Sequence, residues 1–168
     1  MEKKLFAILL LGLYFSACAT QEIQVAPEVF FCPEDSCADH LIEKIDSATS
    51  QIDIAIYSFT HDEIADALIR ASERGVKLRV LVDFTQAQNK YSEDKRLAKN
   101  GAEVKTVKGS GIMHNKFIVI DSRIAGTGSF NYSRNADESN DENLVFISDA
   151  KTVKKYLEEF EELWAENQ

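Results

Sequence analysis

The segment Ile52 to Phe59 narrows the folds open to this chain more than any other. With isoleucine at positions 52, 54 and 56 it reads as a strong, buried β-strand. The rest of the chain repeats an alternation around it. Val29–Phe31, Val76–Val82 (closing on Asp83), Ala102–Val107, Lys116–Ile120, Arg123–Ala125 and Leu144–Ile147 are further β-rich apolar runs. Between them lie stretches of helical period. Ala38–Ser50 puts Leu41, Ile42, Ile45 and Ala48 on one stripe, and a second helix runs from Thr60, whose T-x-x-E with Glu63 is a capping box, to Gly75. Tyr91–Asn100 forms a third, stopping at Gly101. Ala150–Glu166, capped by Asp149, turns Val153, Tyr156, Leu157, Phe160, Leu163 and Trp164 to one side. The alternation predicts an α/β fold: a mixed β-sheet sandwiched between helices.

Residues 1–17 stand apart from this pattern. Lys3 and Lys4 precede an apolar run from Leu5 to Phe15 and a small pair, Ser16-Ala17, the layout of a cleavable signal peptide. A run of eleven residues is shorter than the roughly 20 a spanning helix needs. Phe-Ser-Ala-Cys, ending on Cys18, resembles a bacterial lipoprotein box, with Phe15 where Leu is usual. Lipidation of Cys18, with residues 18–28 as a membrane tether, is one expectation; ordinary cleavage near Ala17 or Ala19 is the other. Either exports the protein, to the periplasm, to an envelope membrane as a lipoprotein, or outside the cell.

Export governs how Cys32 and Cys37 are read. In an oxidising compartment a C-x4-C pair is expected to close one small disulfide around Pro33–Ser36. The alternative is zinc held by Cys32, Cys37 and His40, with His61 as a distant fourth ligand. As ordinary residues, His40 would be a partly packed helix residue and His61 an exposed first-turn residue. What remains, residues 29–168, is the size of one domain.

Gly109 to Asn131 carries the chemistry. His114, Lys116 and Asp121 are spaced H-x-K-x4-D, and Gly128-Ser129-x-Asn131 follows. Side chains two apart on a strand share a face, so the His114 imidazole, a capable nucleophile, and the Lys116 ammonium point the same way. Ser129 and Asn131, also two apart, can converge on the same anion. The set suits a phosphate. Lone H-x-K pairs and Gly-Thr-Gly-Ser turns are common; both halves in register are not.

These residues resemble the single active-site signature of the phospholipase D superfamily, most closely its small bacterial endonuclease-like members, which the shorter Gly-Ser-x-Asn fits better than Gly-Ser-x-x-Asn. The similarity runs from about Val29 to Trp164. It implies a phosphodiesterase in which His114 forms a phosphohistidine. Lys116, Ser129 and Asn131 would hold the phosphate oxygens, and Glu142 stands where such relatives carry the Glu that orients the nucleophile. Asp121 belongs to the catalytic signature, yet at seven positions from His114 it faces the other side of a strand. It is therefore expected to fix the turn into Arg123. No second H-x-K supplies a general acid, so the resemblance implies a homodimer with the two His114 side chains meeting at a two-fold axis. Neither H-E-x-x-H nor an evident two-metal carboxylate cluster is present, and the scheme needs no metal or other cofactor.

A formal charge of −9 should repel nucleic acid and anionic lipid. From Lys95 to Arg134, however, eight Lys and Arg stand against Glu103 and Asp121, and this basic block brackets the motif. It favours a nucleic acid, DNA or RNA, as substrate and a non-specific endonuclease as activity. Hydrolysis of phospholipid head groups is the alternative among enzymes. An inactive, polyanion-binding envelope protein is the alternative of another class.

Overall fold

The computed structural model describes residues 26–167. The expected signal peptide, Cys18 and most of the tether lie outside the described residues. In chain order the elements are β1 (Glu28–Cys32), α1 (Cys37–Asp46), β2 (Gln51–Ile56), α2 (Asp62–Glu73), β3 (Lys77–Asp83), a 3-10 turn (Gln86–Gln88), α3 (Asp94–Lys99) and β4 (Glu103–Val107). Then follow β5 (Lys116–Ile120), β6 (Ile124–Gly128), α4 (Arg134–Glu138), β7 (Glu142–Ile147) and α5 (Ala150–Glu166).

The strands form a single seven-stranded sheet in the order β1-β7-β6-β5-β2-β3-β4. β2, β3 and β4 are parallel, which requires crossovers, and α2 and α3 provide them. All other pairings are antiparallel. Alternation along β2 and β3 sorts the core. Ile52, Ile54, Ile56, Val80 and Val82 pack on the side of α1, α2 and α3, while Ala55 and Leu81 pack on the other side with Phe117, Val119, Val153 and Phe160 under α5. Helices therefore cover both faces, as the sequence predicts, and the Asp149 carboxylate caps α5 by accepting from the Thr152 N–H.

Several local expectations are corrected. The first residue of α2 is Asp62, and its cap is His61 in extended conformation with no side-chain capping bond. Glu63 reaches Arg134 instead of completing a capping box with Thr60. His61 is buried, at 1% exposure, in contrast to the exposed first-turn position that the sequence suggests. β6 extends to Gly128 through a Gly-Thr-Gly run of poor strand propensity. Gly126 is required there because a Cβ would stand 2.7 Å from the Phe146 ring and 2.8 Å from Ile118. Cys32 and Cys37 are joined in a disulfide with Cα atoms 5.6 Å apart. That removes both thiolates from the zinc alternative, and His40 stacks on Phe30 at 3.7 Å.

Candidate active site at one rim of the sheet

The strand register carries the motif residues to one rim. Because β5 runs against β2, its first residue, Lys116, pairs with Ile56, the last residue of β2. β6 and β7 reverse again, so Gly128 at the end of β6 pairs with Leu144 near the start of β7. His114, Lys116, Ser129 and Glu142, distant in sequence, thus arrive together, alongside the ends of β2 and β3. Clefts beyond the carboxyl ends of parallel strands are where α/β sheets commonly bind ligands.

His114 is exposed on the rim. Lys116 Nζ donates to the His114 backbone oxygen at 2.9 Å and lies 5.2 Å from the centre of the Tyr57 ring. Burial lowers the Lys116 pKa from its ordinary value, and the Glu142 carboxylate partly offsets this. A partly desolvated ammonium gains on meeting an anion.

A bulge shapes the other half. The N–H groups of Ser129 and Phe130 both donate to the Asn143 carbonyl, at 3.2 and 3.3 Å. The crossing is so tight that a Cβ on Gly128 would stand 2.0 Å from that oxygen, so only glycine fits. The bend presents the Ser129 hydroxyl to Glu142, to which it donates, while accepting from the Asn143 N–H at 3.1 Å. The second Glu142 oxygen accepts from Asn140 Nδ2 at 3.2 Å. Glu142 therefore grips Ser129 and Asn140 and makes no hydrogen bond to His114. Asn131 follows two residues after Ser129, and its Oδ1 is buried with no hydrogen-bond partner among the described residues.

Asp121 is not brought to the site. It closes the far end of β5, about 16 Å along the strand from Lys116 at ~3.3 Å per residue. There its oxygens accept from the N–H groups of Thr49, Ser50 and Gln51 and from the hydroxyls of Thr49 and Ser50. Its side chain thus ties down residues 49–51, which lead into β2, and not the turn into Arg123 that the sequence suggests, and it lies away from the rim that holds His114 and Lys116.

Three residues the motif does not reveal complete the rim. The Tyr57 ring lies 4.5 Å from that of His114. Gln86 Nε2 donates to the Tyr57 hydroxyl at 3.0 Å, and buried Asp83 accepts from the N–H of Gln86 and of Met113. Their only sequence signal is position: Tyr57 and Asp83 stand at the ends of the two central parallel strands. Beside His114 is a cleft of about 460 Å³, walled by Val107, the 109–115 loop and Leu163.

Part of the basic block is engaged within the protein. Arg96 pairs with Asp66 and Glu93, Arg134 with Asp62, Glu63 and Glu138, and Lys105 caps the end of α5 at the carbonyls of Trp164 and Asn167. Lys116 stands at the rim itself, and exposed Lys108, just past the end of β4, lies 4.7 Å from the Phe84 ring at the same rim.

Comparison with known proteins agrees with this geometry. Residues 41–164 match the family described as "Cardiolipin synthase, PLD-like domain". The chain is 37% identical over 128 residues to a phospholipase D of Rickettsia conorii, covering 76% of this chain and 64% of the relative. It is 33% identical over 123 residues to a mitochondrial cardiolipin hydrolase of Chlamydomonas reinhardtii, covering 73% of this chain and 55% of the relative. It thus spans less than two thirds of the length of these curated relatives. The solved structure of NucT from Helicobacter pylori superposes with a TM-score of 0.81 at 33% identity, covering 84% of this chain and 97% of that one. A family match across most of the folded region, with the motif gathered on one rim of the expected sheet, places this chain in the phospholipase D superfamily of phosphodiesterases.

Proposed function

We propose that the protein is an exported, metal-independent phosphodiesterase that cleaves nucleic acid without sequence preference. The observation that carries the reading is the exposed His114 imidazole beside the partly desolvated Lys116 ammonium, on a rim where a polymer can pass. An imidazole nitrogen of His114 attacks phosphorus, the P–O bond to the leaving group breaks, and a phosphohistidine forms. Lys116 and Asn131 stabilise the charge on the non-bridging oxygens, with Ser129 and Glu142 as a coupled pair beside them. The leaving oxygen takes its proton from His114 of a second copy in a homodimer. That imidazole, now neutral, accepts a proton from water; the hydroxide attacks phosphorus, the P–N bond breaks and His114 is restored. The positive charge that a metal would otherwise supply comes from Lys116. A lipid on Cys18 would tether the enzyme to an envelope membrane.

A second reading, hydrolysis of phospholipid head groups, is favoured by one observation. The cleft beside His114 has Val107, Ile112, Met113 and Leu163 on its walls and, among the described residues, no charged side chain. The fold thus adds Val107 and Leu163 to the two apolar residues of the loop.

The test offers single-stranded DNA, RNA and phospholipid vesicles to the purified protein in excess EDTA, with His114→Ala as control. Cleavage of nucleic acid that vanishes in the variant is the expected result. Head-group release with nucleic acid untouched would replace the first reading by the second. Polyanion binding without turnover, unaltered in His114→Ala, would defeat both.

A further inference from the structure

The nucleophile proposed above poses a problem that its own motif does not solve. Among the described residues, the imidazole of His114 makes no hydrogen bond; the only bond at this residue reaches its backbone oxygen. Glu142, the residue expected to aim it, is engaged by Ser129 and Asn140. An exposed imidazole free to turn about its side-chain bonds is a poor nucleophile, because small misplacements of a reacting group are costly in rate.

What touches the ring is Tyr57. It follows the last residue of β2, and its N–H donates to the Asn115 carbonyl at 2.9 Å, which fixes its backbone against that of the His114 loop. Its ring is inclined at 60° to the imidazole, with the centroids 4.5 Å apart. The Lys116 ammonium rests 5.2 Å from the centroid of the same ring, a cation–π distance. One aromatic ring thus sets the position of both the nucleophile and the charge that receives the phosphate. The ring is itself held. Gln86 Nε2 donates to its hydroxyl at 3.0 Å, and the Gln86 N–H donates to Asp83 Oδ1 at 3.2 Å. The other Asp83 oxygen accepts from the Met113 N–H at 3.0 Å, one residue before His114. Asp83, 2% exposed, also takes the N–H and hydroxyl of Thr85. A single buried carboxylate therefore secures the nucleophile twice, through its loop and through the ring beside it.

We propose that Tyr57 is a positioning residue for His114, held in place by Gln86 and, through it, by Asp83. This inference rests on the phosphodiesterase reading. In turnover, the Tyr57 ring packed against the imidazole holds it in the aimed rotamer, both as phosphohistidine and as general acid.

The test measures kcat and KM on bis(p-nitrophenyl) phosphate for wild type, Tyr57→Phe, Gln86→Ala, the Tyr57→Phe/Gln86→Ala double variant and Tyr57→Leu. It also follows the His114 ring proton by NMR, assigned among the chain's 3 histidines with His114→Ala. Tyr57→Phe and Gln86→Ala should each lower kcat about 3- to 10-fold with KM within about twofold. The double variant should be no worse than either, since both remove the same bond. Tyr57→Leu should lower kcat roughly 100-fold and abolish the upfield ring-current shift of the His114 proton. Wild-type kcat in Tyr57→Leu, or additive losses in the double variant, would overturn the proposal. A wild type that leaves the diester intact would strike at the phosphodiesterase reading instead. The NMR comparison then decides the positioning, with an unchanged His114 resonance in Tyr57→Leu sinking it.

Discussion

Five donors from three consecutive residues converge on Asp121 at distances of 2.7–3.0 Å. Asp121 and Ser122 both take left-handed backbone, φ 52° and 55°, which a short polar side chain tolerates at a tight turn. Burial on its own would raise the Asp121 pKa, but the donors outweigh it and hold the carboxyl well below its ordinary value of 3.8. A depressed folded-state pKa gives stability that is complete above the unfolded value and is lost as pH falls through the folded one. Asp121→Asn should therefore cost about 2 kcal/mol at neutral pH, the worth of hydrogen bonds to a charged group discounted for partial exposure. The gap between the two proteins should narrow once the pH drops well below about 4. Urea unfolding at pH 7 and pH 3 measures both effects, and turnover per folded molecule should stay close to wild type. A loss of turnover with stability intact would return Asp121 to the catalytic set.

At the scale of elements, α5 is fastened by more than its apolar stripe. Arg79 of β3 and Asp53 of β2 both face this helix, with Nε and Oδ1 2.7 Å apart and side chains 8% and 2% exposed. The guanidinium also pairs with Glu161 of α5 and lies 4.7 Å from the Phe160 ring and 5.4 Å from that of Trp164. Arg79→Ala strands a buried carboxylate and should cost about 3–5 kcal/mol, read as a drop in Tm. Arg79→Lys should recover little, because an ammonium cannot span Asp53 and Glu161 in the same plane. A loss under about 1 kcal/mol in Arg79→Ala would show that the helix holds by apolar contact alone. α5 was legible in the sequence because cap, period and length agree. The five residues of α4 were not, since one turn has no period to read. β6 reads short in the sequence because Gly126, required by Phe146 and Ile118, and Gly128, required by Asn143, look like a loop. Of the site, His114, Lys116, Ser129 and Glu142 could be read from one stretch and its downstream strand. Tyr57, Gln86 and Asp83 could not, because only sheet register brings them there.

For the whole molecule, the proposed mechanism requires two copies, and this makes activity a property of concentration. Specific activity should fall on dilution through the dimer dissociation constant, in step with sedimentation. Excess His114→Ala subunits should suppress wild-type turnover by forming mixed dimers that hold one imidazole where two are needed. Specific activity unchanged across dilution into monomer would exclude the shared acid. The two rims of the sheet divide the labour in a way that bears on how such a chain can change. One rim holds exposed His114 with the loops around it, and the other is clamped by Asp121 upon residues 49–51. Substitutions in the exposed cleft loop at Ser110, Gly111 and Ile112 leave both that clamp and the core untouched, so new substrates can be explored there without endangering the scaffold. A library randomised at those three positions should retain mostly folded members, whereas one randomised at 49–51 and Asp121 should lose them first.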